Sequence, residues 1–265
     1  AFQQFPDVKL VVMAHLYGTP GKCDEIRKIC NAHGALLVED AAESFGATYK
    51  GVQTGMFGDY AAISFNGNKI ITGSSGGMFL TNSKEDADKV RKWSTQSREP
   101  FPWYEHEEIG YNYRMSNVIA GVVRGQFPHL DEHIAQKRAI YERYKEGFKG
   151  LPVSMNPFDA ANSVPNFWLS CMLIDREAIA ADGACEPGKT TPAAVLQAIA
   201  DMNAEGRPIW KPMHMQPMYK NHPFVSANGD VGADIFARGL CLPSDNKMTP
   251  EQQDAIIETI KECFA

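Results

Sequence analysis

The sequence predicts an α/β fold, a mostly parallel sheet covered by helices, with a smaller α+β domain after it. Three observations carry this prediction. "VKLVVMAHLYG" reads as a buried strand, "KCDEIRKICNAHG" places Ile26 and Ile29 at helical spacing, and "ALLVEDAAESFG" returns as an apolar run within a few residues. Strand, helix, strand at this spacing is the βαβ unit, because parallel strands need a crossover to pair.

The remaining elements follow in order. Gly34 stops the first helix. "DYAAISF" and "GGMFLT" add two short strands, and a helix is expected over roughly 83–95. A long helical stretch covers about 116–149, and Pro128 should break or kink it, since proline lacks the amide and crowds the preceding turn. In its second half Leu130, Ile134, Tyr141, Tyr144 and Phe148 keep one face apolar, with Gly150 as a C-cap. The domain boundary falls there, leaving residues 1–149 as the larger domain with its connecting helix and 150–265 as the smaller one. The latter holds a strand in "NFWLSCMLID" and helices near 191–203 and 250–263.

Composition narrows the function. A chain of 265 residues that is 44% hydrophobic can bury a substantial core, and its net charge of -6 without a Lys/Arg block argues against a nucleic-acid partner. No stretch approaches the roughly 20 apolar residues that span a bilayer. The first residues lack the basic and apolar regions of a signal peptide, so a cytoplasmic setting is expected. Cys23, Cys30, Cys171, Cys185, Cys241 and Cys263 are scattered without a CxxC, which reads as reduced thiols and no metal site. "GACEPGKT", Gly183 to Thr190, has the letters of a phosphate loop, but "REAIAAD" separates it from the strand and Pro187 has no amide to offer.

Two strand ends carry the candidate chemistry. In "LLVEDAAES" an apolar strand ends at Asp40, the edge where open α/β sheets bind ligands, although Asp40 and Glu43 also fit the D-x-x-E form of a helix capping box. In "SFNGNKIITGSSGG" a second strand ends at Ser64, Lys69 follows, and the chain turns glycine-rich. Alone, Lys69 reads as an exposed loop residue. Together, a carboxylate for a ring nitrogen, a hydroxyl for a phosphate and an amine for an aldehyde are what a pyridine cofactor needs, and they point to pyridoxal phosphate. A buried aspartate keeps the ring nitrogen protonated, and the apolar neighbours Ile63, Phe65, Ile70 and Ile71 favour the free amine.

The strings "HLYG", "VEDAAES", "GDYAAISFNGNK", "SSGGM" and "GYNYRMSN" resemble the DegT/DnrJ/EryC1/StrS family of pyridoxal-phosphate-dependent nucleotide-sugar aminotransferases, in consistent order along the chain. The resemblance implies the aspartate aminotransferase fold, fold type I. It makes Lys69 the lysine that condenses with the cofactor, Asp40 the partner of the pyridine nitrogen, Glu43 the neighbour of the ring face or its phenolic oxygen, and Ser64 a phosphate ligand. Asn112, in "GYNYR", is similar to an asparagine that reaches the cofactor phosphate of the other subunit, which implies a homodimer with shared sites. Glutamate is the implied amino donor.

"STQSREPFPWYEHEEIGYNYRMSN", "RPIWKPMH" and "CLPS" are closer to the branch acting on UDP-4-keto-6-deoxy-N-acetylglucosamine. Within it Arg207, Trp210 and His214 would face the nucleotide sugar; read without the family, they belong to a proline-rich surface loop. Family members begin farther upstream, so the resemblance implies a fold lacking its N-terminal portion, with a phosphate-binding loop and a ring-stacking group outside this chain. Weak cofactor binding by the chain alone is then expected. A noncatalytic or regulatory member is the alternative reading. A sugar-dehydrating branch, which carries histidine at the lysine position, is disfavoured by Lys69.

Overall fold

The computed structural model describes residues 1–181 and 186–265. It divides into two compact units, one of Ala1–Ile134 with Phe158–Trp168, the other of Ala135–Pro157 with Leu169–Ala265. This differs from a single division after residue 149: residues 135–149 group with the second unit, where Ile140, Tyr144 and Phe148 are buried in its core, and residues 158–168 return to the first, where 163–164 pair with 48–49. No helix among the described residues is long and apolar enough to cross a membrane.

In chain order the elements are β1 (Leu10–Ala14), α1 (Cys23–Ala32), β2 (Leu36–Asp40), β3 (Thr48–Tyr49), β4 (Val52–Gln53), β5 (Tyr60–Ser64), β6 (Gly77–Thr81), α2 (Lys84–Ser94) and α3 (Asn117–Gln126). Then come α4 (Leu130–Gly147), β7 (Val153–Met155), β8 (Ser163–Val164), β9 (Cys171–Ile174), α5 (Pro192–Asp201), β10 (Arg207–Pro208), α6 (Val231–Arg238), β11 (Gly239–Cys241) and α7 (Pro250–Glu262). Pro128 sits in the 3-10 turn Phe127–His129 that separates α3 from α4.

In the first unit the main sheet runs β1-β2-β5-β6, with β1, β2 and β5 parallel and β6 antiparallel to β5. Strand alternation gives the sheet two unlike faces. The inner one packs Met13 and Leu37 against Cys23 and Cys30 of α1 and against Tyr49. Arg27 fixes that helix by clamping Asp59 at 2.6 and 3.0 Å, and the same carboxylate accepts the Leu37 amide at 2.8 Å. The other face is bare: Val12 is 61% exposed, and Leu10 and Leu36 lie open beside it. Ala14, Asp40 and Ala62 are neighbours by register on that face.

Alternation also turns Glu39 inward, where an unpaired carboxylate would be costly. It is fully buried and accepts four hydrogen bonds, from His15 Nε2 at 2.9 Å and from the amides of Gly55, Phe57 and Gly58 at 2.7, 2.6 and 2.6 Å. His15 Nδ1 accepts the Gly21 amide at 3.1 Å, which leaves the ring proton on Nε2. Burial pushes the Glu39 carboxyl up, but the histidine and the three amides outweigh it and hold the group below its ordinary value.

The second unit has an antiparallel sheet in the order β10-β11-β9-β7. Tyr144, Phe148, Ile174, Val195, Ile199, Leu240 and Ile260 fill its core. α5 starts at the Thr191 cap and α7 at a capping box between Thr249 and Gln252. Two sequence expectations change. The strand expected through "NFWLSCMLID" shrinks to β9, because Phe167 has a left-handed φ of 55° that breaks the ladder before it. The short elements β7, β10, β11 and α6 have no counterpart in the sequence reading.

The carboxyl of Glu39 gives the first unit a pH signature. With its pKa depressed in the fold, its contribution is complete above the unfolded value and is lost as pH falls through the folded one. Glu39→Gln should cost about 3 kcal/mol at neutral pH, since an amide cannot accept from all four donors. Urea melts should also show a flatter loss of stability in acid for the variant than for the wild type; parallel curves would contradict this account.

Candidate active site

Because β1, β2 and β5 run parallel, the loops leaving their carboxyl ends gather at one sheet edge. Asp40, expected to be buried, is the last residue of β2 and lies exposed, because strand alternation turns Glu39 inward and Asp40 to the open face; its Oδ1 accepts the Ala42 amide at 3.1 Å. No helix follows it: residues 41–47 form turns, so the capping-box reading of Asp40 and Glu43 is not realised. Glu43 instead points its two oxygens at different partners. Oε2 accepts the Tyr17 amide at 2.7 Å, and Oε1 lies 4.0 Å from Lys69 Nζ.

The Tyr17 amide can face Glu43 only because the chain turns left-handed after β1, with φ of 58° at Tyr17 and 86° at Gly18. Fully buried Asn166 occupies the space beside Gly18, where an added Cβ would come within 1.7 Å of Oδ1. Asn166 Nδ2 donates to the carbonyls of Glu43 and Phe45 at 2.9 and 3.0 Å. Its Oδ1 accepts the Trp168 amide at 2.9 Å, and its own amide donates to the Gly18 carbonyl at 3.1 Å.

Lys69 sits in the turn after β5, its amide donating to the Asn66 carbonyl at 3.0 Å. Its side chain is only 13% exposed, so it is not a solvated loop lysine. Phe65, Ile70 and Ile71 beside it are buried. Nζ lies 4.3 Å from the centre of the Trp168 ring, and the indole Nε1 donates to the Asn68 carbonyl at 2.7 Å. Burial holds the Lys69 amine below its ordinary pKa, against the opposing pull of the Glu43 and Asp40 charges. Ser64 ends β5 half-buried; its Oγ accepts the Asn66 amide at 3.2 Å, which leaves the hydroxyl proton to donate.

The structure thus brings Asp40, Glu43, Ser64 and Lys69 to one edge. Asn112 stands apart, exposed, at an isolated bridge to Thr95. Arg207, Trp210 and His214 belong to the second unit. Arg207 is exposed and pairs with Glu205, and Trp210 is half-buried. The tract is not a plain surface loop, because Arg207–Pro208 pairs with β11 and Ile209 is buried. His214 Nε2 meets Asp230 Oδ2 at 2.7 Å and its ring stacks on Phe224 at 3.8 Å. Asp230 also caps α6, and the Ala233 amide with the histidine holds its carboxyl below the ordinary value.

Sequence reading missed Tyr17, Asn166 and Trp168; the glycine of "HLYG" was the available signal for the first. It also missed a cluster of metal-ligating types, His15, Cys23 and Glu39, all buried with their ligand atoms within 4.8 Å. Those atoms are already committed to hydrogen bonds, the Cys23 thiol to the Gly21 carbonyl at 3.2 Å, and burial and then the Glu39 charge push that thiol up to about 12. The cluster therefore holds structure. Of the phosphate-loop letters, Gly183 lies outside the described residues, as does Cys185; Lys189 pairs with Glu186. The five described cysteines, Cys23, Cys30, Cys171, Cys241 and Cys263, form no disulfide.

The DegT/DnrJ/EryC1/StrS aminotransferase family matches over residues 5–261. The chain is 41% identical over 258 residues to EpsN of Bacillus subtilis, a protein named as a pyridoxal phosphate-dependent aminotransferase; the match covers 97% of this chain and 63% of that protein. It is 32% identical over 265 residues to the GDP-perosamine synthase of Escherichia coli O157:H7, over 97% of this chain and 66% of the relative. This chain therefore spans 63% and 66% of the length of these two curated relatives.

Among solved structures, the aminotransferase TlmJ from Streptoalloteichus hindustanus superposes with a TM-score of 0.82 at 23% identity, over 96% of this chain and 65% of that one. Helicobacter pylori PseC, an aminotransferase involved in the biosynthesis of pseudoaminic acid, gives 0.83 at 18% identity, over 97% and 67%. Both show a shared fold.

The left-handed turn predicts unequal costs at two glycines. Gly18→Ala should destabilise by about 3 kcal/mol or more, through its positive φ and its collision with Asn166. Gly51→Ala, at φ 78° with nothing within 4 Å of its Cβ, should cost about 1 kcal/mol. Urea unfolding of the pair checks this; equal costs would show that Asn166 does not fill the space beside Gly18.

Proposed function

Because this chain belongs to the DegT/DnrJ/EryC1/StrS aminotransferase family, we propose that it carries the cofactor lysine of a pyridoxal-phosphate-dependent enzyme that aminates a nucleotide-linked keto sugar. The observation that carries this reading is the shielded amine of Lys69, 4.0 Å from Glu43 and at the same sheet edge as Asp40. The donor set suits the group: a strand-end carboxylate, an amine of lowered pKa and a hydroxyl with its proton to give. When bound, pyridoxal phosphate supplies an aldehyde for an amine and a protonated ring that draws electrons from the neighbouring carbon.

The chain's own groups have separate tasks in this reading. Asp40 holds the proton on the ring nitrogen, because its negative charge favours the pyridinium. Ser64 Oγ donates to the phosphate, whose charge calls for further donors. Lys69 Nζ, in its neutral form, takes the proton from the α-carbon of the amino donor, glutamate in this proposal, and Glu43 keeps the amine aimed. In the second unit Arg207 suits a diphosphate and Trp210 the face of a base or sugar. His214 would act there together with Asp230.

Asn112 is proposed to serve the cofactor of a second copy in a homodimer. Support comes from its exposure and from the exposed apolar residues of the same stretch of chain, Trp103, Tyr104, Ile109, Tyr113 and Val118. The proposed acceptor is a UDP-linked 4-keto-6-deoxy sugar. Similarity to a GDP-perosamine synthase favours a second reading, in which the acceptor is GDP-linked.

The test is to incubate the protein with pyridoxal phosphate, reduce with borohydride and map the added mass. Label should fall on the peptide containing Lys69 and vanish in Lys69→Arg, and glutamate-dependent amination of UDP- and GDP-linked 4-keto sugars should then identify the acceptor. Label on another lysine would contradict the assignment.

A further inference from the structure

We infer that Trp168 is a positioning residue for Lys69: its indole closes one side of the amine and holds Nζ between the ring face and Glu43. The inference rests on the reading of Lys69 as the cofactor lysine. Trp168 is 2% exposed, and Lys69 Nζ lies 4.3 Å from its ring centre, inside the range in which a ring face attracts a cation. The ring cannot swing away, because Nε1 donates to the Asn68 carbonyl at 2.7 Å, one residue before the lysine. Its backbone is fixed as well, with the amide held by Asn166 Oδ1 at 2.9 Å. The preceding residue, Phe167, has a φ of 55°, a conformation that a bulky side chain adopts only when its surroundings impose it. The segment that the sequence reads as continuous strand is thus bent out of the ladder, and the bend delivers an indole onto the amine.

The chemistry follows from the two forms of the amine. Burial favours the neutral form, which a base or nucleophile needs. Glu43 and Asp40 are the charged groups that favour the ammonium, and the indole face adds a third attraction for the charged form without adding a charge. Trp168 excludes water on one side, yet keeps the amine protonable and in one rotamer. An aliphatic side chain of similar bulk would exclude water but lose the attraction.

Two variants separate positioning from packing. Trp168→Phe and Trp168→Leu both lose the bond to Asn68, and only the first keeps a ring face. Lysines are reductively methylated with carbon-13, the Lys69 resonance is assigned by its absence in Lys69→Arg, and its pH titration is followed by NMR. In Trp168→Leu the Lys69 pKa should fall by about one pH unit, while Trp168→Phe stays close to wild type. Equal titration in all three proteins, or equal shifts in both variants, would overturn the inference. Borohydride mapping of the same wild-type preparation with pyridoxal phosphate checks the underlying reading separately, since label away from Lys69 would sink that reading whatever the titration shows.

Discussion

The side-chain amide of Asn166 joins segments of the first unit that lie far apart in sequence. It donates to the carbonyls of Glu43 and Phe45, accepts the amide of Trp168 and fills the space that Gly18 leaves by having no side chain. A parallel sheet brings strand ends to one edge but leaves the loops beyond them free to diverge. Fixing them requires polar groups that are fully satisfied away from water, and a buried carboxamide supplies both donors and an acceptor in one plane. The orientation of Glu43 toward Lys69, and the seat of Trp168 on that lysine, both follow from this one side chain.

Two ionisable groups of the first unit, buried Glu39 and half-buried Lys69, are treated in opposite ways. Glu39 receives four donors and is held charged, so it serves as a structural anchor beneath the sheet. Lys69 receives no such set. Its nearest carboxylate oxygen is 4.0 Å away, and burial draws its amine toward the neutral form. Satisfying one charge and under-satisfying the other lets one small unit combine a rigid anchor with an amine held below its ordinary pKa.

Much of the first unit was legible in the sequence because its signals are local. The apolar runs that become β1, β2 and β5 and the helical spacing of α1 need no knowledge of distant residues, and Pro128 marks its own break. That Asp40, Ser64 and Lys69 gather at one sheet edge was legible for the same reason, since strand ends in a parallel sheet converge. The alternative reading of Asp40 and Glu43 as a helix cap failed because Glu43 is taken by the Tyr17 amide, a partner 26 residues away. Asn166 and Trp168 were hidden inside an apparently regular strand; their roles depend on contacts 100 or more residues back along the chain. Short elements such as β10 and β11 leave too few residues for a periodicity to show.

Asn166 is the tie among these loops, and amide hydrogen exchange read by mass spectrometry tests its role directly. Asn166→Ala should speed exchange in peptides covering 15–21, 41–47 and 66–71 together, while β9 and α5 in the second unit keep their wild-type protection. Faster exchange confined to residues 166–168, with the three loops unchanged, would contradict the claim that this one side chain holds the candidate site in place.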